Sequence, residues 1–121
     1  MNTRAAGSRG EDLAAGFLKA SGMEILERNF RTRSGEVDII ARDGVIIVFV
    51  EVKFWPAYGS SELEYGLDRR KQQRIIRVSR EFLSRRGFPE TAEIRYDVVF
   101  LGREPDRVEH FINAFTETGT V

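Results

Sequence analysis

With 121 residues, 41% of them hydrophobic and 31% charged, the chain can form one globular domain with a real core and falls outside the disordered class. It has no cysteine, which excludes a disulfide framework and a thiolate metal site and suits a reducing compartment. A formal net charge of +0 argues against a protein that coats nucleic acid with a uniform positive field. In chain order, Ser8 with Glu11 three residues later fits a capping box. Leu13, Ala14, Phe17 and Leu18 then recur at helical spacing until Gly22. Residues 25–30 read as a short edge strand, and residues 36–42 and 45–54 as two strong strands joined by Asp43-Gly44, a hairpin signal. Residues 57–66 read as a loop. An amphipathic helix over 68–86 follows, with Ile75, Ile76, Val78, Phe82 and Leu83 on its apolar side and Gly87 and Pro89 ending it. Strands at 94–101 and 108–112 complete a single domain over 1–121, with the first few residues and about 116–121 frayed. This order predicts an α/β fold, a central mixed sheet flanked by helices. The apolar run at 45–50 is too short to span a bilayer and the N-terminus lacks an apolar signal region, so no membrane association and a cytoplasmic location are expected.

The hairpin carries the chemistry. With Asp43 and Gly44 as turn residues, Arg42 faces Val45, Asp38 faces Phe49 and Glu36 faces Glu51. Alternation then puts Glu36, Asp38, Glu51 and Lys53 on one face, and Val37, Ile39, Val48, Val50 and Val52 on the other, as core. Asp38 and Glu51 become diagonal neighbours, about 7–8 Å apart at Cα. Two carboxylates in an apolar strand pair must recover several kcal/mol from a partner. A hard divalent cation supplies it, with the Val52 carbonyl as a third ligand and Lys53 close enough to orient a water. The plain alternative is a solvated Glu51–Lys53 ion pair. Against it, the pair interrupts an otherwise apolar strand, and Asp38 faces the same way.

The run Gly35-Glu36-Val37-Asp38-Ile39-Ile40 followed by Phe49-Val50-Glu51-Val52-Lys53 resembles the core of the PD-(D/E)xK, or restriction-endonuclease-like, superfamily. More narrowly, the chain resembles the YraN-like family of predicted endonucleases. The likeness runs through Gly10-Glu11, Arg28-Asn29-Phe30, Tyr58-Gly59, Lys71-Gln72, Arg95-Tyr96-Asp97-Val98 and Asn113-Ala114-Phe115. The resemblance implies that Asp38 and Glu51 bind Mg²⁺ or Mn²⁺ and that Lys53 assists the attacking water. Similarity to archaeal Holliday-junction resolvases adds Glu11 as a further metal-site carboxylate, although a capping-box Glu needs no catalytic explanation. Trp55 departs from the Arg expected in this family two residues after the motif lysine. The departure removes one candidate phosphate contact and leaves packing, or stacking on an exposed base, as the roles for Trp55.

Arg69, Arg70, Lys71, Arg74, Arg77, Arg80, Arg85 and Arg86 crowd one stretch, opposed there by Asp68 and Glu81, so phosphate binding should be regional. Lys71 and Gln72 are candidate phosphate contacts, and Arg69, Arg74, Arg77 and Arg80 a candidate DNA-binding face; a solvated helix surface is the alternative. Glu36 is expected to support the site, Asp97 to bond internally to Arg95, and His110 to be structural. The expectation is a metal-dependent endonuclease acting on DNA, with branched or structured DNA suggested by the resolvase likeness. Symmetric cutting of a junction would favour a homodimer. The rivals are a non-catalytic nucleic-acid-binding module and a protein-interaction subunit that uses the 57–66 loop.

Overall fold

The computed structural model describes residues 3–54, 67–102 and 107–120, with the backbone alone for residues 3–8 and 120. Trp55 and the 57–66 loop lie outside the described residues. Helix α1 (Thr3–Ala20) leads into β1 (Glu24–Thr32), β2 (Gly35–Asp43) and β3 (Ile46–Phe54). Helix α2 (Arg69–Arg85) then crosses to β4 (Ile94–Leu101), followed by β5 (Val108–Thr116) and β6 (Gly119–Thr120). The strands form one sheet in the order β1-β2-β3-β4-β5-β6. β3 and β4 are parallel and every other pair is antiparallel. This mixed α/β sheet is consistent with the restriction-endonuclease-like fold.

Both faces of the sheet are covered, which explains why β3 reads as nearly continuous apolar sequence. On one face Val37, Ile40, Ile47, Phe49, Tyr96 and Val98 pack against Ile75, Ile76, Val78 and Phe82 of α2. On the other, Ile39, Ala41, Val48, Val50, Val52 and Val99 pack against Ala14, Ala15 and Leu18 of α1. Phe82 is fully buried, edge-on to Phe30 and Phe49 at 5.2 and 5.9 Å between ring centres. Each helix ends on a left-handed glycine that lets the chain double back. Met23 N–H donates to Leu18 O and Gly22 N–H to Lys19 O; Phe88 N–H donates to Leu83 O and Gly87 N–H to Ser84 O.

Several expectations are corrected. α1 begins at Thr3, so Ser8 lies inside the helix and the Ser8–Glu11 capping box does not form. The β2–β3 turn residues are Gly44 and Val45, because Asp43 pairs with Ile46 and Arg42 with Ile47. Gly44 has φ 63°, and a turn with Gly first is one that hairpins favour. The register is therefore two residues away from the one Asp43-Gly44 suggested. Continued past Ile39↔Val50, it sets Asp38 opposite Glu51 rather than diagonal to it. β1 runs the full nine residues, and β5 continues to Thr116 to form a hairpin with β6.

Val37 also faces the α2 side and not the α1 side with Ile39, although the two are only two residues apart. The cause lies across the ladder. Asn29 has φ 54°, a left-handed conformation that Asn tolerates, between Arg28, which pairs with α1, and Phe30, which packs on α2. Arg28 pairs with Ile39 and Phe30 with Val37, so the strand pair turns over at Asn29 and Asp38.

Candidate active site

Asp38 sits at this inversion, where the β2–β3 ladder stops. In place of the next rung, its Oδ2 accepts the Val52 N–H at 2.8 Å. The observed tie to Val52 is thus through its N–H. Glu51 and Lys53 are 8% and 7% exposed, on the α2 face of β3 in line with Phe49. Asp38 and Glu51 share a hydrogen bond, which requires a proton between two carboxyl groups. Burial, that bond and the Glu51 charge push the Asp38 carboxyl up to about 8, against the opposing pull of Val52 N–H and Lys71.

α2 closes the site from above. Asp68 caps the helix, its Oδ1 accepting Lys71 N–H at 2.8 Å. The first turn so fixed holds Lys71 Nζ 3.9 Å from Glu51 Oε2. Burial and the neighbouring Lys53 ammonium lower the Lys71 pKa, and Glu51 opposes them. Glu36, Asp38, Glu51, Lys71 and Arg74 line an open cleft of about 280 Å³. Two lysines thus stand against two carboxyl groups. Such a centre can hold a cation on the acidic side and a phosphate on the basic side.

α1 brings Glu11 close. Gly10 leaves no room for a side chain, because an added Cβ would sit 2.1 Å from the Phe54 ring and 3.1 Å from Leu101. Glycine at this point lets the helix approach the ends of β3 and β4. Glu11 hydrogen-bonds Asn29 and lies 3.9 Å from Arg28, which also pairs with Asp12 at 2.7 Å. Burial and the Asp38 charge raise the Glu11 pKa. Among the described residues no three of Asp, Glu, His and Cys converge closely enough to hold a metal ion. The acidic centre is therefore the pair Asp38 and Glu51, with Glu11 acting on it through space.

The pair fits the expected ion. Mg²⁺ and Mn²⁺ take oxygen donors, one or two carboxylates suffice for Mg²⁺, and a cation can replace the proton that the two groups now share. The basic helix residues divide. Arg74 is exposed and lines the cleft. Gln72 is 3% exposed, donating to Leu67 O at 3.2 Å and accepting from Arg69 at 3.2 Å, so it does not present its amide to a phosphate as expected. Arg69 is committed to the carbonyls of Thr116 and Glu117.

Asp97, fully buried on the α1 face, accepts from Arg95 Nε and Nη2 at 2.9 Å each and from Asn113 N–H at 2.9 Å, with His110 Nε2 at 2.7 Å. Burial alone would raise its pKa, but the hydrogen bonds from His110, Arg95 and Asn113 outweigh it and hold the carboxyl low. The network bridges the register shift between β4 and β5, and its role is structural. Sequence reasoning missed Asn29 and Gly10 as supports of the site. An Asn in a strand and a Gly in a helix, each against local propensity, were the available signals.

The profile of the uncharacterised protein family UPF0102 matches residues 10–101, which include every residue of this centre. The chain is 42% identical to a UPF0102 protein of Geobacter sulfurreducens over 90% of its length and 87% of that protein. It is 39% identical to one of Syntrophotalea carbinolica, covering 93% of both chains, and 42% identical to one of Rhodococcus opacus, covering 92% and 96%. The protein is a member of the UPF0102 family.

Proposed function

We propose that this protein is a metal-dependent endonuclease that hydrolyses DNA phosphodiester bonds. The observation that carries this reading is the buried contact between Asp38 and Glu51, from neighbouring strands, with Lys53 and Lys71 beside them. Asp38 and Glu51 would hold Mg²⁺ or Mn²⁺. That ion, when bound, supplies positive charge for a phosphate oxygen and raises the acidity of a coordinated water.

The side chains do the rest. Val52 N–H fixes the Asp38 carboxyl so that it need not reorganise. Lys53 orients the water that attacks phosphorus; the water's proton passes to solvent as the new P–O bond forms, the bond to the leaving deoxyribose oxygen breaks, and that oxygen takes a proton from solvent. Lys71 and Arg74, at the cleft, neutralise the phosphate as it enters. Branched or structured DNA is the preferred substrate class, on the likeness to junction resolvases.

Lys53→Ala tests the assignment. Cleavage of branched DNA should fall at least about 100-fold while Mn²⁺ binding survives, since the variant removes a positioned donor and leaves both carboxyl groups. Undiminished cleavage would remove Lys53 from the mechanism. A second reading, a DNA-binding module without cleavage, draws on the lack of a third converging carboxylate among the described residues. It predicts metal-free DNA binding and no turnover under any metal.

A further inference from the structure

The arginines of α2 meet different fates. Arg69 donates to the carbonyls of Thr116 and Glu117, and Arg80 pairs with the Glu117 carboxylate at 3.0 Å, tying one flank of the helix to the β5–β6 turn. Arg86 pairs with Glu27 at 2.6 Å. Arg70, Arg74 and Arg77 do none of this. All three are exposed, and none has an ion pair or hydrogen bond among the described residues.

Their spacing of four and three residues places them within about 60° of helical arc and about 10 Å of helix axis. Arg74, the middle member, lines the cleft with Asp38 and Glu51, so the stripe passes beside the acidic centre and extends along the helix to either side of it. The β1–β2 turn adds to the same side. Gly35 backs onto the Cβ of Arg74, and Arg33, two residues earlier, is exposed with no partner among the described residues. The first turn of the helix contains no acidic residue. Guanidinium groups stacked at this spacing repel one another, and none of the three is held in an ion pair among the described residues.

We infer that the Arg70–Arg74–Arg77 stripe is the docking surface for the phosphate backbone of a DNA duplex arm, next to the bond to be cut. One strand of a duplex presents a phosphate every 3.4 Å along its axis, so about 10 Å of helix spans about three successive phosphates. A rigid array of charges suits the fixed spacing of a duplex. Binding to single strands relies on exposed aromatic platforms, and the one aromatic residue of α2, Phe82, is fully buried. The contact is to backbone alone and independent of sequence. It rests on the proposed function for its place in catalysis, but docking needs no metal, so the two can fail separately.

The test is duplex binding in the presence of a chelator, read as the slope of log affinity against log salt. Arg70→Gln/Arg77→Gln is compared with Arg80→Gln/Arg86→Gln, which removes the same charge from paired positions on the helix and at its C-cap. The first pair should lower the slope by about 2, near 0.9 per lost phosphate contact, and the second should change it by less than about 0.5. Single strands of equal length should bind more weakly than duplex. Equal slope changes in the two pairs, an unchanged slope in the first, no metal-free duplex binding, or tighter binding of single strands would each overturn the inference. Intact binding with no cleavage under any metal would sink the endonuclease reading and leave the docking surface standing.

Discussion

Asp38→Asn should make the metal-free protein more stable, although it removes the side chain at the heart of the centre. In the fold the Asp38 carboxyl titrates at about 8, against an ordinary value of 3.8, with burial the largest cause and Glu51 the next. A raised carboxyl favours the neutral form. Below about pH 4 the group is protonated in both folded and unfolded chains and costs nothing. As pH rises toward 8 the unfolded chain ionises freely while the folded one resists, and stability is lost. At 1.36 kcal/mol per pH unit, a shift of about four units sets an upper bound of about 6 kcal/mol. Relaxation around the pair and the share borne by Glu51 reduce this to on the order of 2–4 kcal/mol at pH 9. Asparagine removes the charge yet keeps an oxygen for Val52 N–H, so the geometry survives. Urea unfolding with a chelator, at pH 4, 7 and 9, reads the difference. The variant's advantage should be near zero at pH 4, grow with pH and level off above about 8. Equal stability at pH 9, or a more stable wild type, would refute the claim that the two carboxyl groups strain the empty site.

Asp97→Asn should do the opposite, costing about 3–5 kcal/mol at pH 7, because it leaves Arg95 and His110 facing a neutral partner in a buried network. Because the Asp97 carboxyl is held low in the fold, its contribution is present above about pH 4 and is lost as pH falls through the lower folded value. Acid unfolding should therefore be shallower in the variant, and a cost under about 1 kcal/mol would mean the network is ornamental. Glu11→Gln should weaken Mn²⁺ binding about 10-fold, as expected of a carboxylate that acts through its neighbour. A loss as complete as in Asp38→Asn would make Glu11 a direct ligand.

The fold was legible because its strongest signals are local and periodic. The apolar face of α2, the β-branched runs of β2 and β3 and the glycines closing each helix are all found where the sequence put them. The partners on the sheet were less legible. Asp43-Gly44 and Gly44-Val45 are both acceptable turns, and choosing between them shifts the register by two residues, which keeps the faces but moves Asp38 from diagonal to opposite Glu51. The inversion at Asn29 defeated strict alternation and sent Val37 to the other layer, since a single left-handed residue leaves no periodic trace. Likewise Ser8 and Glu11 satisfied a capping pattern that the longer helix overrides. Composition could not sort the arginines of α2 either: Arg69 and Arg80 are tied down by a hairpin more than 35 residues further on in sequence, a tertiary fact.

The most direct test of the acidic centre is calorimetric titration of wild type, Asp38→Asn and Glu51→Gln with Mn²⁺, at a pH above 8 where the shared proton no longer competes. Binding by wild type that is lost in both variants, each shown to be folded, is the predicted result. Equal binding by all three would place any cation elsewhere, and no binding by wild type would contradict the claim that Asp38 and Glu51 form a metal site.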